Sequence, residues 1–244
     1  MQILIFTSLD IEQNNPFFRL GALQKTLIPI INQVKKDKGI ICKYLIAEHI
    51  YDKLAKDNCI SESEAIIVRS REYRGICNKK LFANSYISHK NDDSLVNFFR
   101  DVTKDFEPNI VLVWETASEA IRLAFDKALV IDLMPGFMSR PPYPKMISID
   151  PCGLYRNCWY KENLPAAERN ALSLMKALKK YYKNYFDSLN TEGHLRDLYG
   201  LKDNEEFDLI PLQITDYFGF KYNCRFENQY DYLKSTLSKN PGKK

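Results

Sequence analysis

NIVLVWETASEAIRLAFDKALVIDLMPGFMSRPPYPKMISIDPCGLY, residues Asn109 to Tyr155, is the stretch whose reading decides the fold. Five of the six residues from Asn109 to Trp114 are apolar, mostly Ile, Val and Leu. A run that short and that rich in β-branched residues reads as a strand buried on both faces, as in a parallel sheet. Thr116-Ala117-Ser118-Glu119 follows as a capping box, in which the Thr hydroxyl accepts an amide three residues on and the Glu reaches back. Ala117, Ala120, Ile121, Ala124 and Phe125 then keep helical spacing. A second apolar run, Ala128 to Met134, breaks at Pro135-Gly136, and a third, Lys145 to Ile149, ends at Asp150-Pro151-Cys152-Gly153. The pattern is strand, helix, strand, loop, strand, with polar punctuation at each strand's C-terminal end. Open α/β sheets bind ligands at those ends.

The same pattern opens the chain. Gln2 to Phe6 reads as a central first strand, followed by a polar loop from Thr7 to Pro16. Phe17 to Val34 has apolar residues at helical spacing, with Pro29 as an expected kink. Ile40 to Ala47 reads as a second strand. Asp93 to Phe106 is an amphipathic helix that Pro108 ends. These readings predict an α/β fold: a Rossmann-like parallel sheet with flanking helices, in which the strands at 2–6, 40–46, 109–114 and 128–133 are parallel. From Asn163 a long helix is expected to about Leu189, with Lys176, Lys179, Lys180 and Lys183 on one side. Such a basic, tyrosine-bearing face can lie against anionic headgroups or simply be solvated. A first domain over residues 1–205 and the beginning of a second over 206–244 are expected. The second comprises a strand at Phe207–Ile214 and a helix at Gln229–Leu237, too little chain for a core of its own.

Composition narrows the functional classes. The 244 residues are 45% hydrophobic and 27% charged, ordinary for a globular chain, and a net charge of +4 does not argue for a nucleic-acid partner. The six cysteines form no CxxC pair and no zinc-finger spacing with histidine, and free thiols are expected. MQILIFTSLD has neither the charged start nor the apolar length of a signal, and a cytoplasmic location is expected. With only nine glycines, the chain has no GxGxxG and no P-loop, the two commonest phosphate-cradling loops, and no cofactor is expected.

Candidate site residues stand where strands end. Glu115 follows a buried strand beside a helix N-terminus, where it can act as a base or contact a ligand; a loop carboxylate satisfied by amides is the competing reading. Asp150 follows the third run, in a place where Asp before Pro is also a common turn former. Thr7, Ser8 and Thr116 supply hydroxyls and Gly136 close backbone approach. Arg140, in the stiff loop to Pro144, is suited to a phosphate or carboxylate. Gln213 and Asp216 offer polar groups after the last strand.

Phe207-Asp-Leu-Ile-Pro-Leu-Gln-Ile-Thr-Asp216, with Asn223 to Phe226 beyond it, resembles the PLQ…D segment of bacterial capsule polysaccharide biosynthesis proteins. That group includes the Kdo transferases of capsule and lipopolysaccharide assembly, built of two Rossmann-like halves. Pro135-Gly136-Phe137 and Ile149-Asp150-Pro151-Cys152-Gly153 are similar to the family's glycine-aromatic loop and the Asp-x-x-Gly turn after it. Met134 and Pro135 stand where the family usually has an acidic residue. The resemblance implies a metal-independent GT-B glycosyltransferase that moves a sugar from a nucleotide-activated donor to a bacterial surface glycan at the inner membrane face. Asp150 first, and Glu115 second, would then deprotonate the acceptor hydroxyl. In the family a strand ending in His-Pro follows, and Lys244 lies about where it should begin. The 244-residue polypeptide is accordingly expected to be inactive alone. The alternative is a non-catalytic sugar- or partner-binding α/β domain from a truncated or degenerate homologue.

Overall fold

The computed structural model describes residues 1–9, 17, 19–37, 39–69, 72, 93–116, 119–136, 147–154, 158–159, 163–183, 187, 200, 202 and 225–239. The chain divides into two compact units, Met1–Glu168 and Arg169–Lys244. The boundary expected near residue 205 and the strand expected at 207–214 lie outside the described residues.

In the first unit the elements run β1 (Gln2–Thr7), α1 (Leu20–Ala22), a π-helical stretch (Leu23–Leu27), α2 (Ile28–Val34), β2 (Ile41–Ala47), α3 (Glu48–Lys56), a 3-10 turn (Glu62–Glu64) and β3 (Ala65–Val68). They continue with α4 (Asp93–Val102), β4 (Ile110–Trp114), α5 (Glu119–Ala124), β5 (Leu129–Pro135) and β6 (Ile147–Asp150). The first helical run passes from α1 to α2 without leaving helical geometry. Pro29, at the second position of α2, has no N–H to give the carbonyl a turn before it, and the chain widens to π geometry just there. The irregularity expected at Pro29 therefore takes the form of a wider turn.

The six strands form one sheet in the order β3-β2-β1-β4-β5-β6. This is the doubly wound order, in which the chain reverses direction between β1 and β4. β1 pairs in parallel with β2 and with β4, β2 with β3, and β4 with β5, as the four apolar runs require. β6 is the correction. It returns antiparallel to β5, with Asp132 opposite Asp150 and Pro135 opposite Ile147. Asp150 therefore lies beside the middle of β5, and its chain runs back toward the start of that strand rather than beyond its end.

Side-chain alternation assigns the two layers of helices. Leu4, Phe6, Val111 and Val113 share one face by register and are all buried. Phe99 of α4 meets Phe6 edge-on at 5.2 Å between ring centroids, so α4 covers that face. The other face carries Ile3, Ile5, Tyr44 and Trp114, and Lys35, just after α2, holds its ammonium 5.8 Å from the Tyr44 ring. Residues in β1 are thus buried from both sides, which is why an unbroken apolar run works there. Asn109 ties the bottom of the sheet, accepting from the Gln2 amide at 2.7 Å and donating to the Gln2 carbonyl at 2.8 Å.

α6 (Leu164–Tyr181) begins where the long helix is expected, in the last residues of the first unit, and continues into the second. Leu172 remains exposed on it, Leu178 is buried, and the lysines at 176, 179, 180 and 183 are exposed. α7 (Gln229–Lys239) is capped by Asn228, whose side-chain oxygen accepts from the Asp231 amide at 2.9 Å. No helix among the described residues is long and apolar enough to cross a membrane.

Candidate functional site

The doubly wound sheet directs attention to the C-terminal ends of β1 and β4, where the strand order reverses. Thr7 is the last residue of β1 and lies beside Trp114, the last of β4. Its side chain is buried, and Ser8 follows it half-buried. One strand further along, Gly136 follows β5. Thr7, Ser8, Glu115, Thr116 and Gly136 therefore stand at the same end of three adjacent strands, as expected from their positions after apolar runs.

Glu115 is the strained member of this group. Its φ of +47° is the left-handed region, which an L residue other than Asn or Asp seldom occupies. Its amide still donates to the Leu133 carbonyl at 2.8 Å, so the β4–β5 ladder continues one step past the strand. The turn aims the side chain toward β1, where Glu115 Oε2 accepts from Arg19 Nη1. Arg19 is itself 8% exposed and immediately precedes α1. The Thr116 hydroxyl is occupied in the same turn, donating to the Trp114 carbonyl at 3.1 Å. Reading strand ends found Glu115 and missed Arg19. The signal for Arg19 was a lone guanidinium placed among the apolar residues of a helix start.

Asp150 belongs to a different place. Oδ1 accepts from the amides of Cys152 at 2.8 Å and Gly153 at 3.2 Å, and Oδ2 from the Trp159 amide at 2.8 Å. The carboxylate organises the turn after β6, and Gly153 enters it at a φ of +141° that favours glycine. Across the strand pair Asp132 is buried on β5 and accepts from Arg122 Nη2 of α5. Arg122 also donates through Nη1 to the carbonyls of Val130 at 3.3 Å and Pro151 at 2.9 Å. Burial pushes the Asp132 carboxyl up to about 6, against the opposing pull of Arg122 and with a small addition from Asp150. This second cluster joins α5, β5 and the turn after β6.

Arg140, Gln213 and Asp216 lie outside the described residues, as do residues 10–16, 117–118 and 137–146, which adjoin the strand ends. Two of the clefts are lined by described residues. One of about 430 Å³, lined by Arg100, Lys104 and Phe106 among others, lies at the N-terminal ends of β4 and β5. The other borders β3 and α4, at Ile67 and Phe98. Neither includes the strand-end residues. No group of three His, Cys, Asp or Glu side chains suited to a metal occurs among the described residues. Compared with known proteins, the chain matches no family model, no curated sequence and no solved structure.

Proposed function

We propose that this chain is the acceptor-side half of a GT-B glycosyltransferase of bacterial surface glycan synthesis, with the start of the nucleotide-sugar half after it. The observation that carries the reading is the doubly wound sheet, whose strand ends gather three hydroxyl residues, a carboxylate and a buried guanidinium at the point of reversal. The PLQ…D segment supports the choice of family. Acceptor sugars present hydroxyls to this end of the sheet, and a nucleotide-activated donor would be held by the other half at the inner membrane face.

In this reading Glu115 takes the proton from the acceptor hydroxyl as oxygen attacks the anomeric carbon and the nucleotide phosphate leaves. Asp150 fits that role less well, because both of its oxygens are already engaged by backbone amides. The same engagement, together with the Arg19–Glu115 pair, favours the second reading, a non-catalytic sugar-binding module. The test uses residues 1–244 with a panel of nucleotide sugars, including the CMP-activated one, and oligosaccharide acceptors. Acceptor binding by saturation-transfer NMR without nucleotide binding or turnover is expected. Tight nucleotide binding or measurable transfer by this polypeptide alone would remove the two-half reading.

A further inference from the structure

We infer that the place beyond the ends of β1 and β4, where a doubly wound sheet forms its crevice, recognises an anionic ligand group, a carboxylate or phosphate, through Arg19, and that Glu115 is the internal stand-in that the ligand displaces. The inference deepens the function proposed above and rests on it only for the identity of the ligand as a saccharide or its activated form.

The asymmetry of the pair carries the argument. The Arg19 side chain is 9% exposed and that of Glu115 29%, so the cation is fixed in the protein while the anion faces outward. A buried guanidinium needs a negative partner, and removing one without replacement is costly. A solute arriving from solvent meets the carboxylate side of the pair first and can take its place. The helical run that opens at Leu20 adds to the demand. Its first hydrogen bonds, Leu20 amide to Phe17 carbonyl at 3.0 Å and Leu23 amide to Arg19 carbonyl at 3.1 Å, place Arg19 at the positive end of residues 20–34.

The backbone at Glu115 makes the same point independently. Holding a glutamate at φ +47° costs folding energy that a glycine would avoid. That strain swings the carboxylate off the end of β4 toward β1. Arg19 in turn is suited to carboxylate and phosphate alike, since its planar fork matches two oxygens at once. When an anion occupies Arg19, the released Glu115 carboxylate is left beside the bound ligand, where the proposed proton transfer needs it.

The experiment titrates the full chain with inorganic phosphate and, separately, with glucuronate, with glucose as the uncharged control. Binding is read by calorimetry at constant ionic strength and by NMR of the arginine Nε–H signals. Both anions should bind with displacement of the Arg19 signal, and glucose should leave that signal in place. Tighter phosphate binding would identify the activated donor or a phosphorylated acceptor as the source, and tighter glucuronate binding an acidic sugar. Glu115→Gln, which empties the stand-in, should bind the preferred anion about tenfold more tightly, in keeping with the worth of a charged hydrogen bond. Arg19→Gln should abolish binding. If that variant does not fold, Arg19→Lys should weaken binding at least about tenfold through loss of the fork. Failure of Glu115→Gln to bind more tightly than the wild type, or undiminished affinity in a folded Arg19 variant, would overturn the inference. The two readings fail separately, since anion binding at Arg19 without any oligosaccharide-acceptor binding would count against the proposed function alone, and acceptor binding without anion binding at Arg19 against the stand-in alone.

Discussion

Two arginine–carboxylate pairs in the first unit are built in opposite senses. In the crevice the arginine is buried and the glutamate open, at 9% and 29% side-chain exposure. Between α5 and β5 the aspartate is buried and the arginine open, at 3% and 26%. The difference lies in which charge the fold holds fixed. A fixed cation with a more exposed partner is the arrangement on which the inferred anion site rests. A fixed anion clasped by a movable arginine is a fastening, and Arg122 behaves as one by also holding the Val130 and Pro151 carbonyls. The first arrangement stores binding capacity and the second stores stability.

Arg122→Ala gives the largest expected effect. It leaves Asp132 buried without its cation and removes two further hydrogen bonds, so a loss of about 3–5 kcal/mol is expected in urea unfolding at pH 7.5. A loss below about 1 kcal/mol would mean that the pair is not a fastening. The next effect is in pH. The folded Asp132 pKa of about 6 lies above its ordinary 3.8, so the native state holds a proton that the unfolded chain has released over that interval. Its contribution is fully present below pH 3.8 and is lost as pH rises through about 6, a span worth about 2–3 kcal/mol. Asp132→Asn should flatten the stability profile between those values, and a profile identical to that of the wild type would refute the assignment. The smallest effect is that of Glu115→Gly. Relief of the left-handed strain offsets part of the lost ion pair, and removing the half-exposed Glu115 side chain opens Arg19 to water and buffer anions, so a melting temperature within a few degrees of the wild type is expected. A large loss would turn the crevice pair into a second fastening and erase the contrast.

Much of the fold was legible because its signals are local. Ile110 to Trp114 and Gln2 to Phe6 read as doubly buried strands, and parallel pairing with their neighbours follows from the helices between them. The direction of β6 was legible too, but from a feature that run-by-run reading passes over. Residues 136–146 contain Pro141, Pro142 and Pro144 and no helical spacing, and a connection that short suits an antiparallel return better than a crossover. Glu115 could be singled out from its place at a strand end. Its pairing with Arg19 could not, because Arg19 lies in a different βα connection and the two meet only once β1 and β4 are adjacent. Asp132 was hidden for another reason. Inside the run Ala128 to Met134 a single aspartate reads as an interruption, and the arginine that makes its burial tolerable stands ten residues earlier on another element.

The place of β1 has a consequence for how the chain is made. Its two neighbours are β2 and β4, and the second is not synthesised until residue 114. At about 5–20 residues per second, roughly 3–13 s separate completion of β2 from completion of β4 on the ribosome. Throughout that interval the first strand presents Ile3, Leu4, Ile5 and Phe6 along an unpaired edge, a template for any other extended segment nearby. The middle of the finished sheet is thus the part of the nascent chain that waits longest for its second partner.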